Sequence, residues 1–307
     1  NNQFLYSFLA LGASIEGFLS YIRPVIAVDA THLKGEYKGV IFVAACKDGE
    51  EMIYPLAFGF ADRESDNSWT WFLSRLREII GGRHHLPSDL IIVSDRHKSI
   101  ANAMSDVFPE VPHVFCFFHL KQNLKKHYRK VKDVENMFYL AAYCYTKSDC
   151  DRYLEQIQRV CPQMHEKLID VGVTKWSRAY SPKRRYAMMT TNIAESLNKC
   201  MMKARRLPIT TAHEYLRHML QKWHNDRRVH AENLRTSVTK TAEDHVNSMA
   251  NESTSAMVSP IQQPIKFGVT HELGYGFVRS FEQTCSCRHW DLDQLPYHHA
   301  IVVARYR

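Results

Sequence analysis

The chain opens with short apolar runs and turns, beyond residue 120, to stretches of helical period. Residues 25–30 and 40–47 read as extended segments, joined through His32-Leu33-Lys34-Gly35-Glu36-Tyr37-Lys38-Gly39. Asp48-Gly49 is a hairpin signal leading into a third extended run, 52–61, so three consecutive antiparallel strands are expected. After Asp62 the period changes. Trp69, Phe72, Leu73, Leu76, Ile79 and Ile80 recur at helical spacing between the polar starters Ser65, Asp66 and Asn67 and a Gly81-Gly82 stop. Residues 90–94 form a short buried strand, 100–108 a helix with Ile100, Met104, Val107 and Phe108 on one side, and 111–118 another strand. The expected order is βββ-α-β-α-β, an α/β core with a five-stranded mixed sheet flanked by helices.

Between residues 120 and 173 no strand pattern occurs, only helical stretches at 134–145, 150–160 and 164–169. Asn192 is the expected N-cap of a later helix carrying Ile193, Leu197, Cys200, Met201 and Ala204 on one face, and a basic helix follows over 212–235. Residues 243–264 are polar and weakly periodic, the pattern of a linker. At 307 residues the chain exceeds the size at which one core usually stops growing. The division expected is a lead-in at 1–23, the first part of the core at 24–120, an all-α insertion at 121–189, the C-terminal core helices at 190–240, a linker at 241–264 and a small unit at 265–307.

Composition adds to this picture in two respects. Hydrophobic residues make up 45% and charged residues 23%, so a packed core is attainable and disorder is excluded. Lys and Arg outnumber Asp and Glu by 40 to 32, a net charge of +8 that points to a polyanionic partner. Eight cysteines lack the dense spacing of a disulfide-stapled domain and read as reduced and intracellular. The apolar stretch 4–22 contains Glu16 and no cleavage pattern, so a signal peptide is not expected, and no run reaches membrane-spanning length without a charge.

Three carboxylates carry the candidate chemistry. Asp29 closes the run Val25-Ile26-Ala27-Val28, Asp95 closes Leu90-Ile91-Ile92-Val93-Ser94, and Glu195 lies on the helix after the insertion, about 200° around the wheel from the apolar Ile193. Singly, such an Asp is a turn former and such a Glu a solvated side chain. Together they are the hard oxygen donors that hold two divalent cations ~3.5–4 Å apart for phosphodiester chemistry. If the strands ending in Asp29 and Asp95 are neighbours, those two side chains meet at one edge of the sheet.

Two further groups stand out. Cys116 and His119 have zinc-like spacing, but with no second pair nearby they read as a buried strand cysteine and a histidine that caps or hydrogen-bonds. Lys121, Lys125, Lys126, His127, Arg129, Lys130 and Lys132 open the insertion, and Lys175, Trp176, Arg178, Tyr180, Lys183, Arg184, Arg185 and Tyr186 mix cations with rings just before the Glu195 helix. Cations neutralise phosphates and rings stack on exposed bases, so Lys125, Lys126, Lys175, Trp176, Arg178, Lys183, Arg184 and Arg185 are the expected DNA contacts.

The runs Val28-Asp29-Ala30-Thr31-His32-Leu33-Lys34-Gly35, Pro55-Leu56-Ala57-Phe58, Ser68-Trp69-Thr70-Trp71-Phe72, Ser94-Asp95-Arg96-His97-Lys98-Ser99-Ile100 and Asn192-Ile193-Ala194-Glu195-Ser196-Leu197-Asn198 resemble the transposase core of plant Mutator-like elements. The resemblance implies an RNase H-like fold, with Asp29, Asp95 and Glu195 as a catalytic triad whose last two members flank the helical insertion. It implies Mg²⁺ or Mn²⁺ as cofactor, and Cys116 and His119 as support for the active site. Its expected partners are DNA, both transposon terminal inverted repeats and target DNA, and further copies of the chain in a homodimer or higher oligomer, acting in the nucleus with no membrane. It also implies a DNA-binding domain upstream of Asn1. Cys285-Ser286-Cys287 and the later Tyr297-His298-His299 resemble a SWIM-type zinc finger with ligands Cys285, Cys287 and His299, in which Tyr297 stands at a ligand position and His298 or His289 is the candidate replacement. A domesticated relative that binds DNA and regulates transcription without cutting it is the alternative. A general RNase H-type nuclease would leave the insertion and the terminal finger without a role.

Overall fold

The computed structural model describes residues 5–81, 85–128, 131, 133–272 and 274–307. Along the chain run β1 (Tyr6–Leu9), α1 (Gly12–Tyr21), β2 (Val25–His32), β3 (Val40–Lys47), β4 (Ile53–Ala61), α2 (Asp66–Gly81), β5 (Ile91–Ser94), α3 (Lys98–Val107), β6 (His113–Phe115) and α4 (Phe117–Tyr128). Four helices follow, α5 (Val134–Tyr143), α6 (Lys147–Val160), α7 (Pro162–Val171) and α8 (Val173–Trp176), then α9 (Asn192–Cys200) and α10 (Ile209–Glu232). The last part holds α11 (Lys240–Glu252), β7 (Met257–Gln262), β8 (Lys266–His271), β9 (Gly274–Arg279), β10 (Thr284–Cys285), α12 (His289–Asp293) and α13 (His298–Tyr306). These form two compact units, residues 1–127 with 188–235, and residues 128–187 with 236–307.

The first unit is built on a six-stranded mixed sheet in the order β1-β4-β3-β2-β5-β6. The pairings from β1 through β4 and β3 to β2 are antiparallel, and those of β2 with β5 and β5 with β6 are parallel. Strand β3 is buried from Val40 to Cys46, as its unbroken apolar run requires of a strand covered on both faces. Pro55, which cannot donate to a ladder, sits where the β3–β4 register slips by one residue, the position a sheet tolerates for proline. Helix α2 packs Trp69, Phe72, Leu73, Leu76 and Ile80 into the core, and its start is tied by hydrogen bonds between Ser65 and Ser68.

Three expectations for this unit are corrected. The sheet has six strands rather than five, because the lead-in 1–23 supplies β1, paired with β4 from Tyr6 opposite Ala61 to Leu9 opposite Phe58. Four residues are too few to establish a period, and what holds them is tertiary: Tyr6 stacks on Trp71 at 4.8 Å between centroids. The strand expected over 111–118 is confined to His113–Phe115, since the Phe117 N–H turns to the Met189 carbonyl and a helix begins. Asn192 is the first helical residue of α9 rather than its cap, a position taken by Thr191. Gly82, expected in the helix stop, lies outside the described residues.

The second unit combines α5 to α8 with a four-stranded antiparallel sheet in the order β10-β9-β8-β7. Its core holds Phe267, Val269, Val278, Cys285, Val302 and Val303. The stretch 241–264, expected as a linker, is instead α11 and β7. Thr239 caps the helix by accepting the Ala242 N–H at 3.3 Å, and β7 pairs with β8. A mostly polar helix and an exposed edge strand carry little hydrophobic period, which is why that sequence reads as a linker. Among the described residues no helix is long and apolar enough to cross a membrane.

Candidate active site

Asp29 and Asp95 are brought together by register. In the parallel β2–β5 pairing Val25 faces Ile91, Ile26 faces Ile92 and Ala27 faces Val93, an offset of 66 (91 minus 25). Asp95 minus Asp29 is also 66, so two residues beyond the last pair the same register carries Asp95, just past the end of β5, alongside Asp29, which lies within β2 three residues before its end. Neighbouring strands run ~4.8 Å apart, close enough for two carboxylates to share a cation.

Glu195 arrives from α9, whose buried Ile193, Ala194 and Leu197 face the sheet. Glu195 and Asn198 are half-buried on the flank of the helix, while Asn192, Lys199 and Cys200 are exposed. Burial pushes the Asp29 carboxyl up to about 7, and the charges of Asp95 and Glu195 add to the rise, whereas His119 and a hydrogen bond from the Ala30 backbone oppose it. The three carboxylates therefore sense one another, and Asp29 binds its proton far more tightly than a free side chain.

His119 lies in the first turn of α4, not at a strand end, three residues after Cys116, which follows β6 directly. The Cys116 N–H donates to the Ser94 carbonyl at 2.7 Å, extending the sheet by one bond next to Asp95, and the Cys116 Sγ accepts the Thr191 N–H at 3.2 Å. A hydrogen bond with Cys116 pushes His119 up to about 9, against the effect of burial and with help from the charges of Cys116, Glu195 and Asp95. Burial would raise the Cys116 thiol, but hydrogen bonds from His119 and Thr191 outweigh it and hold it below the usual range. His119 Nε2 stands 3.5 Å from Glu195 Oε1. This pair ties the junction of β6 and α4 to Thr191 and Glu195 at the start of α9.

Residues not singled out by sequence complete the arrangement. Asn198, one helical turn after Glu195, donates its amide to Asp29 Oδ2 at 2.9 Å. Asp95 Oδ1 accepts the His97 N–H at 2.9 Å, the bond of an Asx turn that leads into α3. Behind the site, the Lys34 and Gly35 N–H groups both donate to the Arg205 carbonyl, at 2.7 and 3.1 Å, and Arg205 Nε donates to the His32 carbonyl at 2.9 Å. A Cβ on Gly35 would stand 2.7 Å from the Arg206 carbonyl oxygen, so glycine is needed for this approach. The Asn198 signal lay in sight, in the run shared with Glu195 at helical spacing. The Gly35–Arg205 contact joins positions 170 apart (205 minus 35) and left no local trace.

Among the described residues Asn198 Oδ1 is buried without a hydrogen-bond partner, and Glu195 Oε1 makes no hydrogen bond although His119 Nε2 stands 3.5 Å from it. Buried polar atoms are rarely left so unless an ion or water serves them. Among the described residues the oxygens of Asp29, Asp95 and Glu195 do not all lie within 4.8 Å of one another, so the acids are neighbours whose side chains would have to draw together to hold a hard divalent cation, which prefers oxygen donors.

In the second unit, Cys285, Cys287 and His299 converge, their donor atoms all within 4.8 Å of one another. Cys285 Sγ lies 3.5 Å from His299 Nδ1. A hydrogen bond from Cys287 and another from His299 lower the Cys285 thiol to about 5 against the effect of burial, and Cys287 is correspondingly raised. Among the described residues neither His298 nor His289 joins this group.

Several expected DNA contacts have other employment. Trp176 and Arg185 are 0% and 1% exposed, and Arg178 is 6% exposed. Trp176 Nε1 donates to the Leu168 carbonyl at 3.0 Å, Arg185 donates to the Trp176 carbonyl at 3.4 Å, and the Arg178 guanidinium lies 3.4 Å over the Tyr145 ring and donates to the Tyr143 carbonyl. Alternation of cations with rings marks an internal cation–π scaffold here as readily as a nucleic-acid surface. Lys175, Lys125 and Lys126 are exposed, and Lys183 and Arg184 are half-buried, with Arg184 Nε donating to the Asp291 carbonyl at 2.9 Å. Arg129, Lys130 and Lys132 lie outside the described residues.

A comparison with curated proteins finds no match to the chain. Residues 25–123, the stretch that carries Asp29, Asp95, Cys116 and His119, match the family model of the MULE transposase domain.

Proposed function

We propose that the chain is a DNA transposase that cuts phosphodiesters at the terminal inverted repeats of its element and uses the freed 3′-hydroxyl to attack target DNA. The single observation that carries this reading is the shared register of Asp29 and Asp95, with Glu195 close enough to raise the Asp29 carboxyl. The strand order β4-β3-β2-β5-β6, antiparallel then parallel, supports an RNase H-like core to which β1 is an added edge.

Asp29, Asp95 and Glu195 would hold Mg²⁺ or Mn²⁺. When bound, the cations neutralise phosphate charge and polarise the entering and leaving oxygens. Asn198 fixes one oxygen of Asp29, leaving the other to face a ligand, and His119 holds Glu195 from behind with a positive charge. The exposed Lys125 and Lys126, on the helix that carries His119, meet the DNA backbone. In the second unit Cys285, Cys287 and His299 would hold Zn²⁺ in a SWIM-type finger, since two thiols and an imidazole are donors of the softness zinc selects. Two element ends are processed in one event, which favours a homodimer or higher oligomer working in the nucleus.

Strand cleavage on duplexes carrying matched element ends tests the proposal. The wild-type chain is expected to cut only with Mg²⁺ or Mn²⁺, while Asp29→Ala, Asp95→Asn and Glu195→Gln bind the ends and leave them intact. Mg²⁺-dependent cutting retained by both aspartate variants would remove the catalytic assignment. Wild-type binding with no cutting would instead identify a regulator derived from such an enzyme.

A further inference from the structure

We infer that the metal centre of the second unit keeps one coordination position for an exogenous ligand: water, exchangeable for a small anion or thiol. The inference rests on the zinc reading of Cys285, Cys287 and His299 and concerns what completes it.

Closed structural zinc sites take four protein donors, and sites with three keep a position open for solvent or substrate. Three donors converge here among the described residues. Their meeting is built into the backbone, because a Cβ on Gly276 would stand 2.4 Å from His299 Nδ1 and 3.1 Å from Cys285 Sγ. Tyr297 has the spacing of a fourth donor, since Tyr297-x-His299 mirrors Cys285-x-Cys287.

The ring of Tyr297 is held elsewhere. It stacks on His289 with centroids 3.9 Å apart and planes 10° from parallel, and His289 stacks in turn on Tyr145 at 3.4 Å. Arg178 lies over the same Tyr145 ring, also at 3.4 Å, so four side chains form one pile. Swinging the phenol toward a metal would break that pile at its end. His289 is committed as well, its Nδ1 lying 3.2 Å from the Cys287 carbonyl. His298 is 2% exposed and packed among the rings of His271, Tyr297 and His299; its two ring nitrogens make no hydrogen bond among the described residues, yet they do not join the group whose donor atoms converge.

Space for a ligand exists beside the thiols. Cys287 and His289 line a cavity of about 510 Å³, together with Tyr145 and Ser286. Of the three donors Cys287 lines this cavity, so a small monodentate donor can approach the site from the Cys287 side.

The test uses Co²⁺ loaded into the chelator-treated full chain, whose visible bands report coordination. The wild-type protein is expected to bind one Co²⁺ with thiolate charge-transfer bands, and its ligand-field bands should shift saturably on titration with azide. Tyr297→Phe and His298→Ala should keep both the bands and the azide response. Tyr297→Cys should add a third thiolate band, bind zinc about tenfold tighter or better, and lose the azide response. Co²⁺ bound by the wild type with a silent azide titration overturns the open position alone, and an azide response that then appears only in Tyr297→Phe or His298→Ala would name the phenol or imidazole as fourth ligand. Failure of the wild-type chain to bind Co²⁺ removes the zinc reading and this inference together.

Discussion

Asp29, inside β2, and Asp95, just past the end of the parallel neighbour β5, are separated by the same offset of 66 that pairs Ala27 with Val93. Burial of Asp29 is the main cause of its rise to about 7, and the neighbouring Asp95 charge adds to it.

That rise fixes a pH dependence for the metal-free protein. The unfolded carboxyl titrates near 3.8 and the folded one near 7, so between these values the native state holds the extra proton. The associated stability is complete below the lower value, falls as pH climbs through the window, and is gone above the upper one. The loss is on the order of 2–4 kcal/mol for a shift of this size. Asp29→Asn should flatten the slope between pH 4 and 7, melt several degrees higher than wild type at pH 8 without metal, and lose the stabilisation that Mg²⁺ gives the wild type. His119, raised to about 9 from 6.5, adds a further fall between those two values, and the asparagine variant keeps it. Melting curves across pH, with and without Mg²⁺, check this; equal slopes for the two proteins would contradict it.

The Asn198 amide is the one side-chain donor to Asp29 Oδ2 among the described hydrogen bonds. Partners of this kind orient a metal ligand, and their loss costs about 10–100-fold in metal affinity or activity. Asn198→Ala should move the Mg²⁺ midpoint of cleavage upward by about tenfold while leaving DNA affinity unchanged. Asn198→Asp should be worse, because a further negative charge raises Asp29 again. An unchanged midpoint in the alanine variant would leave Asn198 a purely structural residue.

Gly35 acts at a distance from the acids. Its N–H and that of Lys34 grip the Arg205 carbonyl, tying the loop after β2, the strand of Asp29, to the chain just after α9, the helix of Glu195. A methyl at position 35 meets backbone rather than a flexible side chain, so either the loop or the Arg205 segment shifts. Gly35→Ala should cost about 1–3 kcal/mol of stability. Cleavage should fall by about 100-fold, out of proportion to that loss, because a displacement of about 1 Å in a catalytic group has such an effect. Melting and turnover measured on the same preparation separate the two effects.

What the sequence made legible follows from how local each signal is. Strands β2 to β5 and α2 announce themselves through unbroken apolar runs and a clean helical period, and the two aspartates are visible as the polar ends of those runs. Their equal offset from the paired residues is also readable, once the neighbouring strands are known. Strand β1 is held by rings of α2, and α11 and β7 by partners elsewhere in the second unit, so none carries its own pattern. The basic, aromatic stretch at 175–186 misleads because composition cannot tell a cation lying on a buried ring from one offered to phosphate. Arg178 over Tyr145 is the first kind.

The two kinds of cation make opposite predictions. Lys125 and Lys126 are exposed in the last turn of α4, the helix whose first turn bears His119. Each phosphate contact they make contributes about one unit to the slope of log affinity against log salt. Reversing both to glutamate should therefore flatten that slope by about two, weaken end binding at physiological salt, and leave the melting temperature within a degree or two of wild type. Arg185, 1% exposed with its guanidinium on the Trp176 carbonyl, belongs to the other kind. Arg185→Ala strands a buried carbonyl and opens a cavity, so it should lower the melting temperature of the protein by several degrees while DNA bound by the remaining folded fraction keeps its salt slope. Salt titrations of end binding, run beside melts on both variants, decide between the assignments: a flattened slope in Arg185→Ala with unchanged melting would return that residue to the DNA surface.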